Sequence, residues 1–326
     1  MITSIVLGRP EIGHALDALW RGAFGSRYAI FSATLVRAVP LTLTGLAVAV
    51  AFRAGVLNIG AEGQFLAGAA AAVATGALVA ALKWGPLAQH WVALPGALIA
   101  GSILGAAWAG IAAWLRRRFG VLEVISTIML NFVALDAVAY LVRGPLQEPL
   151  RIYPQTAALS PGMHLPMLIP GTRLHLGFAF ALVAAGVAWY VLRATAGGFR
   201  LRASGANPFA AASAGGIDVA RATTRAFLAS GALAGLAGAV EVTGVTYALY
   251  ENISPGYGYT AIAVALLANL RPLGVIAAGI LFGALEAGAA AMQRDAGVPS
   301  VVASVIEAAV ILGVLLAQQT RAWKRR

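Results

Sequence analysis

Asn58, Glu62 and Gln64 fall within seven residues of one another in the stretch 52–66, FRAGVLNIGAEGQFL, between two apolar runs each long enough to enter a membrane. Two amides and a carboxylate offer donors and acceptors to a polar solute, and apolar segments rarely keep such groups without a use for them. Glycine at 55, 60 and 63 lets the backbone leave helical geometry there. Broken backbone at membrane depth is tolerated only where it is buried in protein or lines a water-filled path. Each polar side chain on its own has a second reading, in which it hydrogen-bonds neighbouring helices and holds the bundle together. The break as a whole reads as part of a solute path.

Other polar residues extend the constellation. Thr127 and Asn131 share one helix face at i and i+4, and both read as lining the path. Asp136 is a turn further on but off that line, where pairing with an arginine is an equal reading. Glu241, Glu286 and Glu307 each interrupt an apolar segment and read as interhelical hydrogen-bonding groups. A glycine-rich stretch from Asn252 to Thr260, NISPGYGYT, runs into AIAVALLANL as Asn58–Gln64 runs into FLAGAAAAV. Paired interrupted segments in corresponding halves point to a transport site near the bilayer midplane. Tyr257 and Tyr259 flank this second break; their faces suit stacking on a nucleobase, and interfacial anchoring is their ordinary use.

The elements that must position these groups follow from composition. The chain has 326 residues, 60% hydrophobic and 11% charged, with a mean hydropathy of +0.83, against roughly 25% charged residues in soluble domains. Apolar windows of membrane-spanning length recur throughout, which defines an all-α polytopic membrane protein. Nine spans are expected, near 32–51, 65–82, 91–115, 122–142, 175–192, 226–249, 259–270, 273–292 and 301–317. Residues 1–30 read as a short amphipathic interfacial segment, residues 31–320 as a single transmembrane domain and 321–326 as a basic tail. The absence of cysteine excludes disulfides and thiolate metal sites, and four scattered histidines form no ligand pattern. No metal or cofactor is expected in this chain. Its +11 net charge reads as topology and lipid headgroups, with no nucleic-acid partner.

Residues 143–174 hold six of the fourteen prolines and form an irregular loop, expected outside. With the C-terminus inside, fourteen of the 23 basic residues fall on the cytoplasmic side, including Arg116–Arg118 and five between 193 and 225. Parity then puts the N-terminus outside with no evident signal peptide, which implies either a further helix upstream or one re-entrant span; the upstream helix is the favoured reading. In the basic loop 193–225, Asn207 suits an N-cap, Pro208 a first helical position and Gly215 a stop, so a short capped helix is expected there as a docking element. No GxxxxGK[ST] motif occurs, so the chain is not its own ATP-driven motor by that route.

Five motifs in order, NIGAEGQF at 58–65, EVISTIMLNF at 123–132, LIPGTRLHLGF at 168–178, ASGANPFAAASAGGI at 203–217 and GYGYTAIAVALLANLRPLG at 256–274, resemble the permease subunits of bacterial ABC importers for nucleosides and simple sugars. That group works with a lipoprotein binding protein of the basic membrane protein type, within the superfamily of ribose and branched-chain amino-acid permeases. The resemblance covers roughly residues 20–318. It implies a type II-like helical permease of about ten spans with two related halves, a non-enzymatic transport subunit in the bacterial inner membrane. It also implies a second homologous permease and a cytoplasmic ABC ATPase that uses ATP and magnesium. Gly205, Asn207, Pro208, Ala211 and Gly215 would then form the coupling helix seated on the ATPase, and 143–174 would face the binding protein. The family usually carries a membrane helix before the region matching 10–30. An ion-coupled secondary transporter using Glu62, Asp136 or Glu241 as proton carriers is the competing reading, and a motor-docking helix argues against it.

Overall fold

The computed structural model describes residues 9–298 and, beyond them, residues 305, 308, 309 and 313. Its elements in chain order are α1 (Arg9–Phe24), α2 (Ala29–Arg53), α3 (Ala61–Ala81), α4 (Pro86–Phe119), α5 (Glu123–Arg143), α6 (Gly177–Ala194), α7 (Ala196–Ala206), α8 (Pro208–Ser213), α9 (Val219–Thr246), α10 (Tyr257–Leu267) and α11 (Pro272–Ala296). Seven of them (α2–α6, α9 and α11) are long and apolar enough to cross a membrane.

Every residue of α2 from Ala38 to Ala51 is buried, as expected of a helix apolar on all sides at the centre of a bundle. Around it pack α9, α11 and α10. Small residues set the spacing of α9 against α3 and α4. A Cβ placed on Gly235 would lie 2.2 Å from the carbonyl oxygen of Gly101, and one on Gly68 would lie 2.1 Å from that of Gly235. The backbones therefore touch, the arrangement by which membrane helices gain packing energy without a hydrophobic driving force. The outward faces of α4 and α5 carry Ile103, Trp114, Phe132 and Tyr140, all exposed.

The structure corrects the expected element map in three places, at the 259–270 span, at the start of the second span and at the glycines of the first break. Of nine expected spans, seven meet the length and hydropathy of a crossing among the described residues; 301–317 lies outside them apart from four positions. The span expected at 259–270 is α10, eleven residues and about 16 Å long, too short for roughly 30 Å of hydrocarbon. The second span begins at Ala61 instead of 65, so Glu62 and Gln64 occupy the first turn of α3 and only 54–60 is broken chain. Of the three glycines at the break, only Gly55 takes a left-handed conformation, at φ 73°. At the N-terminal end of the described chain, α1 packs against α11, with Ala15, Ala18 and Ala23 buried.

The loop 144–176 folds back over the chain between α9 and α10. Thr156 exchanges hydrogen bonds with Leu249, its N–H donating at 2.9 Å and its hydroxyl accepting at 3.0 Å. Leu159 N–H donates to Tyr247 O and Leu165 N–H to Thr243 O. His164 stacks on Tyr247, ring centroids 3.9 Å apart. Arg143 and Glu251 form a two-pronged ion pair at the rim. The loop thus forms an ordered cover over the chain that leads from α9 into the second break.

Candidate functional site

The two broken segments meet. Gly258, in the first turn of α10, approaches α3 so closely that a Cβ on it would lie 2.1 Å from the N of Glu62. Its N–H donates to Glu62 Oε2 at 2.7 Å. The first four N–H groups of a helix lack intrahelical partners and carry partial positive charge. Glu62 therefore sits where the N-termini of α3 and α10 converge, which explains a 3% exposed carboxylate in an apolar bundle. Ser254 accepts from Gly256 and Tyr257 N–H at 3.1 and 3.0 Å, and its hydroxyl also faces Glu62.

Asn58 and Gln64 form a reciprocal pair, Asn58 Nδ2 donating to Gln64 Oε1 at 2.9 Å and Gln64 Nε2 to Asn58 Oδ1 at 3.0 Å. Asn58 also donates to Ser230 Oγ on α9 at 2.8 Å and accepts from Gly60 N–H at 2.9 Å. Both side chains are buried and partnered within the chain. Asn131 on α5 accepts from Gly63 N–H at 2.8 Å and donates to Ile59 O at 3.0 Å and Tyr259 Oη at 3.2 Å. It ties α5 to the first break and to α10 at once. Ser230 lies eleven residues along α9 from Val219, about 16 Å, so the network stands inside the span and away from its end.

The remaining expected path residues divide. Thr127 is buried against Gly60, where a Cβ would come within 3.0 Å of its own, and its hydroxyl donates to Glu123 O of the same helix at 2.7 Å. Tyr257 is turned into the core, 5.8 Å from the Phe65 ring. Tyr259 is 43% exposed, with its hydroxyl on Asn131 at the edge of the network. Below, Arg53 donates to Leu270 O and Asn269 O, closing the turn in which both residues have positive φ.

The basic segment carries the second candidate. α8 runs Pro208–Ser213, and Asn207 Oδ1 accepts from Ala210 N–H at 3.0 Å as its N-cap. Phe209 is 86% exposed, whereas Ala211 is buried against the chain, so Phe209 and not Ala211 is the side chain that α8 presents outward. Gly205 lies inside α7, before the short helix, with the carbonyl oxygen of Arg53 2.2 Å from where a Cβ would be. That contact anchors α7 to the end of α2. Gly215 follows α8 beneath Ala211 O, and Gly216 makes the left-handed turn at φ 57°.

Missed in the sequence were Ser230, Ser254, Gly258 and Phe209. Glycine-rich spacing hinted at Gly258, but nothing local marks Ser230, whose partner Asn58 lies 172 residues away, or tells that Ser254, which caps the turn before α10, also faces Glu62. No group of three or more potential metal ligands occurs among the described residues.

A bundle of spanning helices with two interrupted segments meeting inside it defines the class of a membrane transport protein. The chain belongs to the family described as the permease component of the branched-chain amino acid transport system, whose model matches residues 30–315. It is 40% identical over 309 residues to the guanosine ABC transporter permease protein NupP of Bacillus subtilis (strain 168), covering 93% of this chain and 86% of that one. It is 38% identical over 306 residues to the glucose ABC transporter permease protein TsgB13 of Haloferax volcanii, covering 87% and 75%. It is 32% identical over 304 residues to the nucleoside ABC transporter permease protein NupB of Lactococcus lactis subsp. cremoris, covering 90% and 81%. No solved structure matches.

Proposed function

We propose that the chain is the permease subunit of an ABC importer that moves a neutral nucleoside, or next a simple sugar, inward across a bacterial plasma membrane. The likeness to the guanosine permease along 93% of the chain carries this reading. The site supports it chemically. Converging helix N-termini favour a hydrogen-bond acceptor, and here the Glu62 carboxyl already fills that place. That leaves the surroundings suited to an uncharged, hydroxyl-rich solute. Glu62 and Asn131 hold the two breaks together, Asn58 and Gln64 fix the first break against α9, Thr127 packs on Gly60 and Tyr259 faces the path, with Tyr257 fixing the start of α10.

In this reading the loop 193–225 is cytoplasmic and α8 couples to a partner ATPase through Phe209, so ATP and magnesium belong to that partner. A second permease completes the path. A substrate-binding lipoprotein approaches the loop 143–174, whose Leu150, Ile152 and Tyr153 form an exposed tip. With 301–317 added to the seven long helices, and α10 crossing only together with the broken segment before it, the chain has two related halves, each with one break, and the C-terminal tail inside.

Proteoliposomes holding the permeases, the ATPase and the binding protein test this. Radiolabelled guanosine should accumulate only with internal hydrolysable ATP and the binding protein. Uptake that continues without the ATPase and collapses with a protonophore would establish an ion-coupled carrier instead.

A further inference from the structure

An apolar cleft of about 640 Å³ opens on the outer surface of the bundle between α4, α6 and α9, with Val50 of α2 at its floor. Its walls include Ile99, Phe180, Val187, Leu192 and Leu233, and Ile99 and Val187 are more than half exposed. Along α6 it runs from Phe180 to Leu192, about 18 Å of helix. One leaflet of a roughly 30 Å hydrocarbon core is about 15 Å deep. At Leu201 and Ala229, which line both spaces, the cleft adjoins a second cavity of about 470 Å³ between α7 and the start of α9.

The second cavity has the opposite character. Arg200, Arg221 and Arg225 line it, with Asp218 as the acidic group among its lining residues. Asp218 pairs with Arg221 at 3.0 Å. Three guanidiniums against one carboxylate leave a net positive cavity at the end of an apolar one.

We infer that this composite space binds an anionic phospholipid, an acyl chain lying in the cleft and the phosphate held by Arg200, Arg221 and Arg225. Guanidinium forks match phosphate oxygens bidentately, and basic pockets at the ends of membrane helices recognise anionic headgroups. Hydrocarbon in the cleft replaces lipid contacts that the α4–α6 gap would otherwise leave unmade. The orientation of the proposed function makes the lipid one of the cytoplasmic leaflet, but the site requires only that arginines and cleft adjoin.

Native mass spectrometry of the purified protein, exchanged into phosphatidylglycerol and separately into phosphatidylcholine, tests the site without any transport assay. One phosphatidylglycerol should survive delipidation that strips phosphatidylcholine. Replacing all three arginines, Arg200→Gln, Arg221→Gln and Arg225→Gln, should lower its retention at least tenfold. Ala232→Phe, which fills the cleft and leaves the charges in place, should do the same, with helix content by circular dichroism unchanged in both. Equal retention of the two lipids, or retention unaffected by the arginine changes, overturns the proposal. Inorganic phosphate displacing nothing supports a lipid. Phosphate binding that Ala232→Phe leaves unaltered marks a free-anion site, and cross-linking of Val187→Cys to residues beyond 298 marks a cleft filled by the chain itself; either result overturns it.

Discussion

At the scale of single residues, the polar side chains inside this bundle act first on one another. Asn131 uses both its donor and acceptor groups to hold Gly63, Ile59 and Tyr259. Asn131→Ala removes the partner of the buried Gly63 N–H and of the half-buried Ile59 O, so stability should fall by about 1–2 kcal/mol. Guanosine uptake should fall while ATPase binding is retained, read by thermal unfolding, transport and co-purification of the same preparation. His175, fully buried at the end of the loop, gives a pH dependence. Burial, and secondarily the charge of Arg173, lower its pKa to about 4. Gly177 and Gly244 press on the ring, and its Nε2 has no partner among the described residues. Unfolded, the same imidazole titrates near 6.5. Above that pH both states are neutral and nothing is lost. Between about 6.5 and 4 only the unfolded chain takes up the proton, so stability should fall with pH by about 3 kcal/mol in total. Thermal unfolding at pH 7 and pH 5 should show this, and His175→Gln should flatten the slope.

At the scale of elements, the informative pieces are the short ones. α8 has six residues, too few to be stable from propensity, and it exists because Asn207 caps it, Pro208 starts it and Ala211 is buried beneath it. Phe209 is the apolar group it presents outward. Phe209→Asp should weaken co-purification of the ATPase at least tenfold, whereas Asn207→Ala should act less, through about 1 kcal/mol of lost capping. An unchanged complex with Phe209→Asp would move the coupling contact elsewhere. α10 is also short, and its length has a reason: its first turn must reach Glu62 inside the bundle while the turn that follows it meets Arg53 at the end of α2.

At the scale of the whole molecule, the proposed orientation puts the loop 143–174 outside and α8 inside. The chain lacks cysteine, which makes the test direct. Leu150→Cys should react with an impermeant maleimide on intact cells, and Ala210→Cys only after permeabilisation. The reverse pattern would invert the topology and remove α8 from the ATPase.

Much of this was legible in the chain itself. Runs of apolar residues marked the seven long helices, because hydrocarbon excludes unsatisfied backbone and selects long helices, and overcounted at α10, whose apolar run is half that length. The start of α8 at Asn207 and Pro208 could be read because capping is a contact between residues three apart. The two breaks were visible as glycine and polar residues out of place. What the sequence left open was where those residues pointed, since Ser230 to Asn58, Gly258 to Glu62 and Asn131 to Ile59 are pairs separated by 172, 196 and 72 positions. Only the packing of α3, α5, α9 and α10 brings them together. The same packing turned Tyr257 and Ala211 inward and Tyr259 and Phe209 outward, because helical position is set by the neighbours a residue finds in space and not by those it has in the chain.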